Sequence, residues 1–127
     1  MTFWILAALA LYFVQTLLPP MFRYMLQPDP QILATLGPRD NPPETSIYGA
    51  RSERALRNSG EALLIFLPLA LLGAEKEGAL LGAQIFVLCR LAYLPAYILG
   101  IPFLRSLVWT LGVSGLVLMA AAAVGPA

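Results

Sequence analysis

One helix in this chain has to satisfy two opposite environments. Arg51-Ser-Glu-Arg-Ala-Leu-Arg-Asn-Ser-Gly-Glu61 runs straight into Ala62-Leu-Leu-Ile-Phe-Leu-Pro-Leu-Ala-Leu-Leu72, and only Gly60 interrupts the junction. A single helix over about Ile47–Leu72 is predicted. At about 100° per residue, Arg51, Arg54, Arg57, Asn58 and Glu61 fall within about a third of its circumference. The second half of the same helix is apolar enough for a bilayer. An arginine at the centre of a membrane span costs roughly 2.5–3.5 kcal/mol on insertion scales, so this stripe has to face protein or water. The chain is thereby restricted to a bundle in which the stripe is covered or wetted.

Composition agrees. Of 127 residues, 59% are hydrophobic and 12% charged, against about 25% charged in a soluble domain. This is the composition of an integral membrane protein. The absence of histidine removes imidazole bases and the commonest metal ligand. Cys89, the single cysteine, cannot form an intrachain disulfide and reads as a small buried apolar residue. No metal site is expected.

Three further apolar runs accompany the first. Residues 2–25 read as a retained transmembrane helix rather than a signal peptide, because no basic residue precedes them and no small-residue cleavage site follows. Pro19-Pro20 is expected to bend its end, and Trp4 and Tyr24 bracket it as interfacial aromatics do. Residues 27–45 hold Pro28, Pro30, Pro38, Pro42 and Pro43 among charged residues, and read as an irregular extramembrane loop. After the helix at 47–72 comes a charged turn, Ala74-Glu-Lys-Glu77. Helices follow at about 78–99 and 102–124. The fold class is all-α integral membrane: one domain over 1–127, a bundle of four transmembrane helices, each matching a hydrocarbon core about 30 Å thick. The long loop and the third turn lie at one end with Arg23, Arg39, the Arg51 cluster and Arg105. Positive-inside asymmetry puts that end in the cytoplasm.

Three polar clusters gather near this membrane face. The first is the stripe on helix two. On helix three, Arg90, Tyr93 and Tyr97 share one face. On helix four, Arg105, Ser106 and Trp109 occupy the first turn and a half. Cations outnumber carboxylates here, and a buried excess of cation is expensive unless an anion arrives. Guanidinium forks and phenolic hydroxyls suit an anionic ligand, and Glu61 suits its ammonium. The alternative stays open that Arg57 and Glu61, four residues apart, form a structural ion pair, and that Arg51 and Arg54 snorkel to lipid phosphates.

Arg54-Ala55-x-Arg57-Asn58-x-x-Glu61, followed by an apolar run with Pro68, resembles the signature of the MAPEG proteins, the membrane-associated proteins in eicosanoid and glutathione metabolism. Arg90-x-x-Tyr93-x-x-x-Tyr97 and then Arg105-Ser106 at the start of helix four are a second match. The resemblance covers helices two to four by motif and helix one by topology. It is to a bacterial-type member, and implies a homotrimer in a bacterial inner membrane with glutathione bound between protomers. Carried over by position, Arg54, Arg57, Asn58, Glu61, Arg90, Tyr93 and Tyr97 would hold the tripeptide. Arg23 would reach it across the interface. Arg105 and Ser106 would stand at its sulfur as the catalytic pair.

What this implies is a membrane glutathione S-transferase-like enzyme, with glutathione peroxidase activity as a related possibility. Glutathione is its co-substrate, a lipophilic small molecule from the lipid bilayer its second substrate. A free thiol with a pKa of about 8.5 is only a few per cent thiolate at neutral pH, and a guanidinium beside it favours the anion. Two departures stand against this: Ala62 follows Glu61 where many conjugating relatives carry an aromatic, and the 27–45 loop is unlike that of the eicosanoid enzymes. The alternatives are a non-catalytic protein of the same fold with a structural or anion-binding role, and a small four-span transporter. Nucleic acid is excluded as a partner, since the arginines are interleaved with a membrane span.

Overall fold

The computed structural model describes residues 1–125. Four α-helices build it: α1 (Thr2–Pro20), α2 (Ile47–Leu72), α3 (Glu77–Ile98) and α4 (Pro102–Val124). All four are long and apolar enough to cross a membrane, the first counted through to Met25; counted so, α3 is the shortest, and its 22 residues span about 33 Å at about 1.5 Å per residue. Leucines and phenylalanines such as Phe3, Leu6, Phe13, Leu64, Leu88 and Leu107 point outward. In water such a surface would aggregate; around a bundle it is the lipid face. The protein is an integral membrane protein.

The helix expected over 2–25 is two structures in series. α1 is followed by a π-helical turn, Met21–Met25, closed by Leu26 N donating to the Met21 carbonyl at 2.8 Å. Pro19 and Pro20 cannot donate, and the chain leaves the α-helix through this wider turn. α2 begins where Ser46 Oγ accepts from Gly49 N at 3.2 Å, a side-chain N-cap. α3 lies one residue earlier than expected, a displacement within the fraying of helix ends.

The proline-rich loop is less irregular than expected: Ile32–Leu36 form a 3-10 turn. The loop also folds back on the first helix. Gln31 N donates to the Tyr24 carbonyl at 2.7 Å, and the Arg39 guanidinium lies 5.3 Å from the Tyr24 ring centre. Tyr24 is therefore buried instead of serving as a lipid-facing belt residue.

α3 and α4 pack most extensively, while α2 lies against both α1 and α3. The α3–α4 seam depends on Gly82 and Gly115: a Cβ on Gly82 would stand 2.5 Å from the Gly115 carbonyl oxygen, and one on Gly115 2.7 Å from that of Gly82. Small residues let the two backbones approach and gain dispersion contacts that lipid cannot supply. Phe66 of α2 stacks on Phe86 of α3 with centroids 4.6 Å apart; Ala8, Ala70, Ala83, Val87, Leu116 and Met119 complete the core. Cys89 is only half-buried, a correction to its reading as a core residue, because the tight seam brings its face of α3 to the edge of α4 near Gly112.

Candidate functional site

The inward face of α2 is Ser52, Ala55, Ser59, Phe66 and Ala70. The stripe is accordingly turned away from the core of the bundle. Arg54, Arg57 and Glu61 are exposed and Asn58 is half-buried. Together with Tyr97 of α3 they line one open cavity of about 200 Å³. Among the described residues, no side-chain hydrogen bond or salt bridge engages Arg54, Arg57 or Glu61; the one ion pair joins Arg23 to Glu53. The Arg57–Glu61 ion pair that the spacing permits is not formed. On their other side, Arg57 and Glu61 border a wider groove with Tyr12, Pro19, Leu56 and Leu64.

Beside this cavity lies a second one, of about 370 Å³, lined by Tyr93, Arg105, Ser106, Trp109 and Thr110. Aromatic contacts join the two. Tyr97, a wall of the first, has its ring centre 5.5 Å from that of Tyr93, and the Arg105 guanidinium stands 5.1 Å from the Tyr97 ring centre. Arg105 thus lines the second space and touches the tyrosine that walls the first. It projects from the first turn of α4, where the helix dipole adds a modest attraction for anions.

Arg51 belongs to the stripe by angle but not by role. Its Nη1 donates to the Ile98 carbonyl at 3.1 Å, capping α3 with a cation where the helix dipole favours one. Its guanidinium packs against Gly100, whose φ is +72°, so closely that a Cβ there would lie 2.6 Å from Nη1. The α3–α4 turn, and with it the start of α4 that carries Arg105, is clamped by α2.

Two of the sequence-predicted site residues stand apart from the cavities. Arg23 donates to Glu53 and, at 2.8 Å, to the Pro43 carbonyl, which ties the π-turn, the loop and α2 together. Arg90 is 7% exposed and lies inside the bundle. It bonds Asn58 and Ser59, and Ser59 bonds Gln15. Gln15 and Ser59 escaped the sequence reading. Gln15 did leave a signal, as the one amide in the first apolar run; Ser59 left none, lying between two residues of the stripe.

Apart from Arg90, the charged, amide and tyrosine residues of the two motifs line these cavities, brought together from three helices, and the family assignment extends over nearly the whole chain. Residues 1–125 match the model of the MAPEG family. This protein is a member of the MAPEG family. No curated protein and no solved structure matches it. Membership makes it a membrane protein of the family concerned with eicosanoid and glutathione metabolism. A surface depression of about 790 Å³ in this MAPEG protein, at the α2–α3 turn around Glu75, Lys76 and Glu77, contains none of the motif residues. There Lys76 Nζ donates to the Ala123 and Gly125 carbonyls, capping α4.

Proposed function

We propose that this protein is a membrane glutathione S-transferase-like enzyme that binds glutathione against the α2 stripe and activates its thiol with Arg105. The observation that carries the reading is the set of unpaired charges in one cavity next to a second cavity holding Arg105 and Ser106. Arg54, Arg57 and Glu61 sum to one positive charge. Glutathione with its thiol protonated carries two carboxylates and one ammonium, one negative charge in total. Arg105 supplies the further cation that a thiolate needs. Ser106, which lines the same cavity, is the hydroxyl donor in this reading.

In this scheme the thiol proton leaves to water, and the thiolate sulfur forms a bond to an electrophilic carbon. The electron pair of the breaking bond departs with the leaving group, or moves into a conjugated acceptor that water then protonates. With a hydroperoxide, the thiolate takes the distal oxygen and releases an alcohol; a second glutathione then gives the disulfide and water. Trp109 and Thr110 beside Arg105 offer a wall to a lipophilic substrate arriving from the bilayer. The functional unit is a homotrimer, in which a neighbour covers the outward stripe. The arginine-rich end faces the cytoplasm, in a bacterial inner membrane.

The test is ultraviolet difference absorbance in the thiolate band while glutathione is titrated into detergent-purified protein. Thiolate is expected at neutral pH with wild type and is lost in Arg105→Ala, with glutathione still bound. Absence of both binding and thiolate at millimolar glutathione overturns the reading and leaves the stripe as a site for another anion.

A further inference from the structure

Arg90 lies behind the candidate site, and its hydrogen bonds have a direction. Nη1 donates to Asn58 Oδ1 at 2.8 Å. Nη2 donates to Ser59 Oγ, whose own proton goes to Gln15 Oε1 at 2.8 Å. The guanidinium also lies over Tyr93, 4.2 Å from the ring centre. A guanidinium has donors only, so the amide atom of Asn58 that meets it has to be the oxygen. Which end of an amide is which is usually decided from such a network; here the chemistry leaves one choice. The Nδ2 group, with both its hydrogens, is then available to the cavity shared with Arg54, Arg57, Glu61 and Tyr97.

We propose that Arg90 is a positioning residue that makes Asn58 an obligate hydrogen-bond donor toward the ligand. The ligand atom opposite Asn58 is consequently an acceptor, a carbonyl or carboxylate oxygen. Taking that oxygen as one of glutathione's rests on the function proposed above; the locking of Asn58 by Arg90 does not. Without Arg90 the amide is free to turn, and one of its two orientations sets oxygen against oxygen. Lysine is no substitute. One compact ammonium lacks the planar fork that reaches Asn58 and Ser59 together while stacking on Tyr93.

A double-mutant cycle on glutathione Kd, measured by calorimetry in detergent, tests the proposal. Arg90→Met and Asn58→Ala are each expected to weaken binding about tenfold, and the double variant to bind no more weakly than Asn58→Ala alone. Additive losses would mean that Arg90 acts independently of Asn58, and overturn it. A second measurement needs no ligand. The chain has two asparagines, Asn41 and Asn58, so protein labelled with 15N-asparagine shows two side-chain amides. Asn41, exposed in the loop, is the internal reference for mobility. In wild type the Asn58 amide is expected to be rigid by heteronuclear Overhauser effect, and in Arg90→Met and Arg90→Lys as mobile as Asn41. Unchanged rigidity in the variants overturns the proposal. If wild type fails to bind glutathione, the glutathione reading falls while the amide measurement still decides the role of Arg90. If Arg90→Met does not fold, Arg90→Lys carries both arms.

Discussion

Glu61 stands one helical turn after Arg57, a spacing that commonly pairs such residues, yet the two share a cavity without bonding each other. A carboxylate kept unpaired in a cavity that it shares with two arginines is suited to an ammonium. Glu61→Gln, which keeps the shape and removes the charge, is expected to weaken glutathione binding by about tenfold, the order of one charge-assisted hydrogen bond. Binding of an analogue lacking the α-amino group should hardly change. Calorimetry with both ligands checks this, and an equal loss for both would assign Glu61 to holding Arg57 instead. The stripe was legible in the sequence because a helix repeats with a fixed angle, so Arg54, Arg57, Asn58 and Glu61 had to share a face. The partners of Arg23 and Arg90 were not legible. Glu53 and Pro43 meet Arg23 only once the loop folds back, and Ser59, with Gln15 behind it, meets Arg90 only through the packing of α1, α2 and α3.

At the scale of elements, the α3–α4 seam fixes the geometry on which the second cavity depends, since Tyr93 comes from one helix and Arg105, Ser106 and Trp109 from the other. Gly82→Val would push a side chain into the Gly115 carbonyl and Met119. Overpacking of this kind typically costs about 1–3 kcal/mol, so thermal unfolding in detergent is expected at a clearly lower temperature than wild type. Gly37→Ala, with nothing within 4 Å of the added carbon, should leave the transition where it is. If the two variants behave alike, the close approach of α3 and α4 does not limit stability. The spans themselves were readable as long apolar runs broken by Pro, Gly and charge, and α2 and α4 lie where that pattern puts them. The π-turn after Pro20 and the 3-10 turn in the loop escaped it. Both are local solutions to backbone hydrogen bonding around prolines, and neither has a hydrophobic period to announce it.

A single chain leaves a charged stripe of a membrane-spanning helix on the outside. Arg54, Arg57 and Glu61 are exposed on a helix that crosses the membrane, and facing lipid would cost each arginine on the order of 2.5–3.5 kcal/mol at the bilayer centre. The cavity they line is open and about 200 Å³, whereas sites that enclose a small molecule run to about 300–1,000 Å³ and bury most of its surface. One protomer therefore supplies a wall, and the proposed trimer supplies the enclosure. Coverage of the stripe and completion of the site become the same event, so assembly and glutathione binding should be coupled by mass action. Native mass spectrometry from a mild detergent is expected to give trimers carrying glutathione. A harsher detergent that releases monomers should abolish binding, and added glutathione should shift the midpoint of dissociation toward more detergent. Monomers that retain glutathione with undiminished affinity would place the whole site within one protomer, and the polar stripe would then need another reason to be covered.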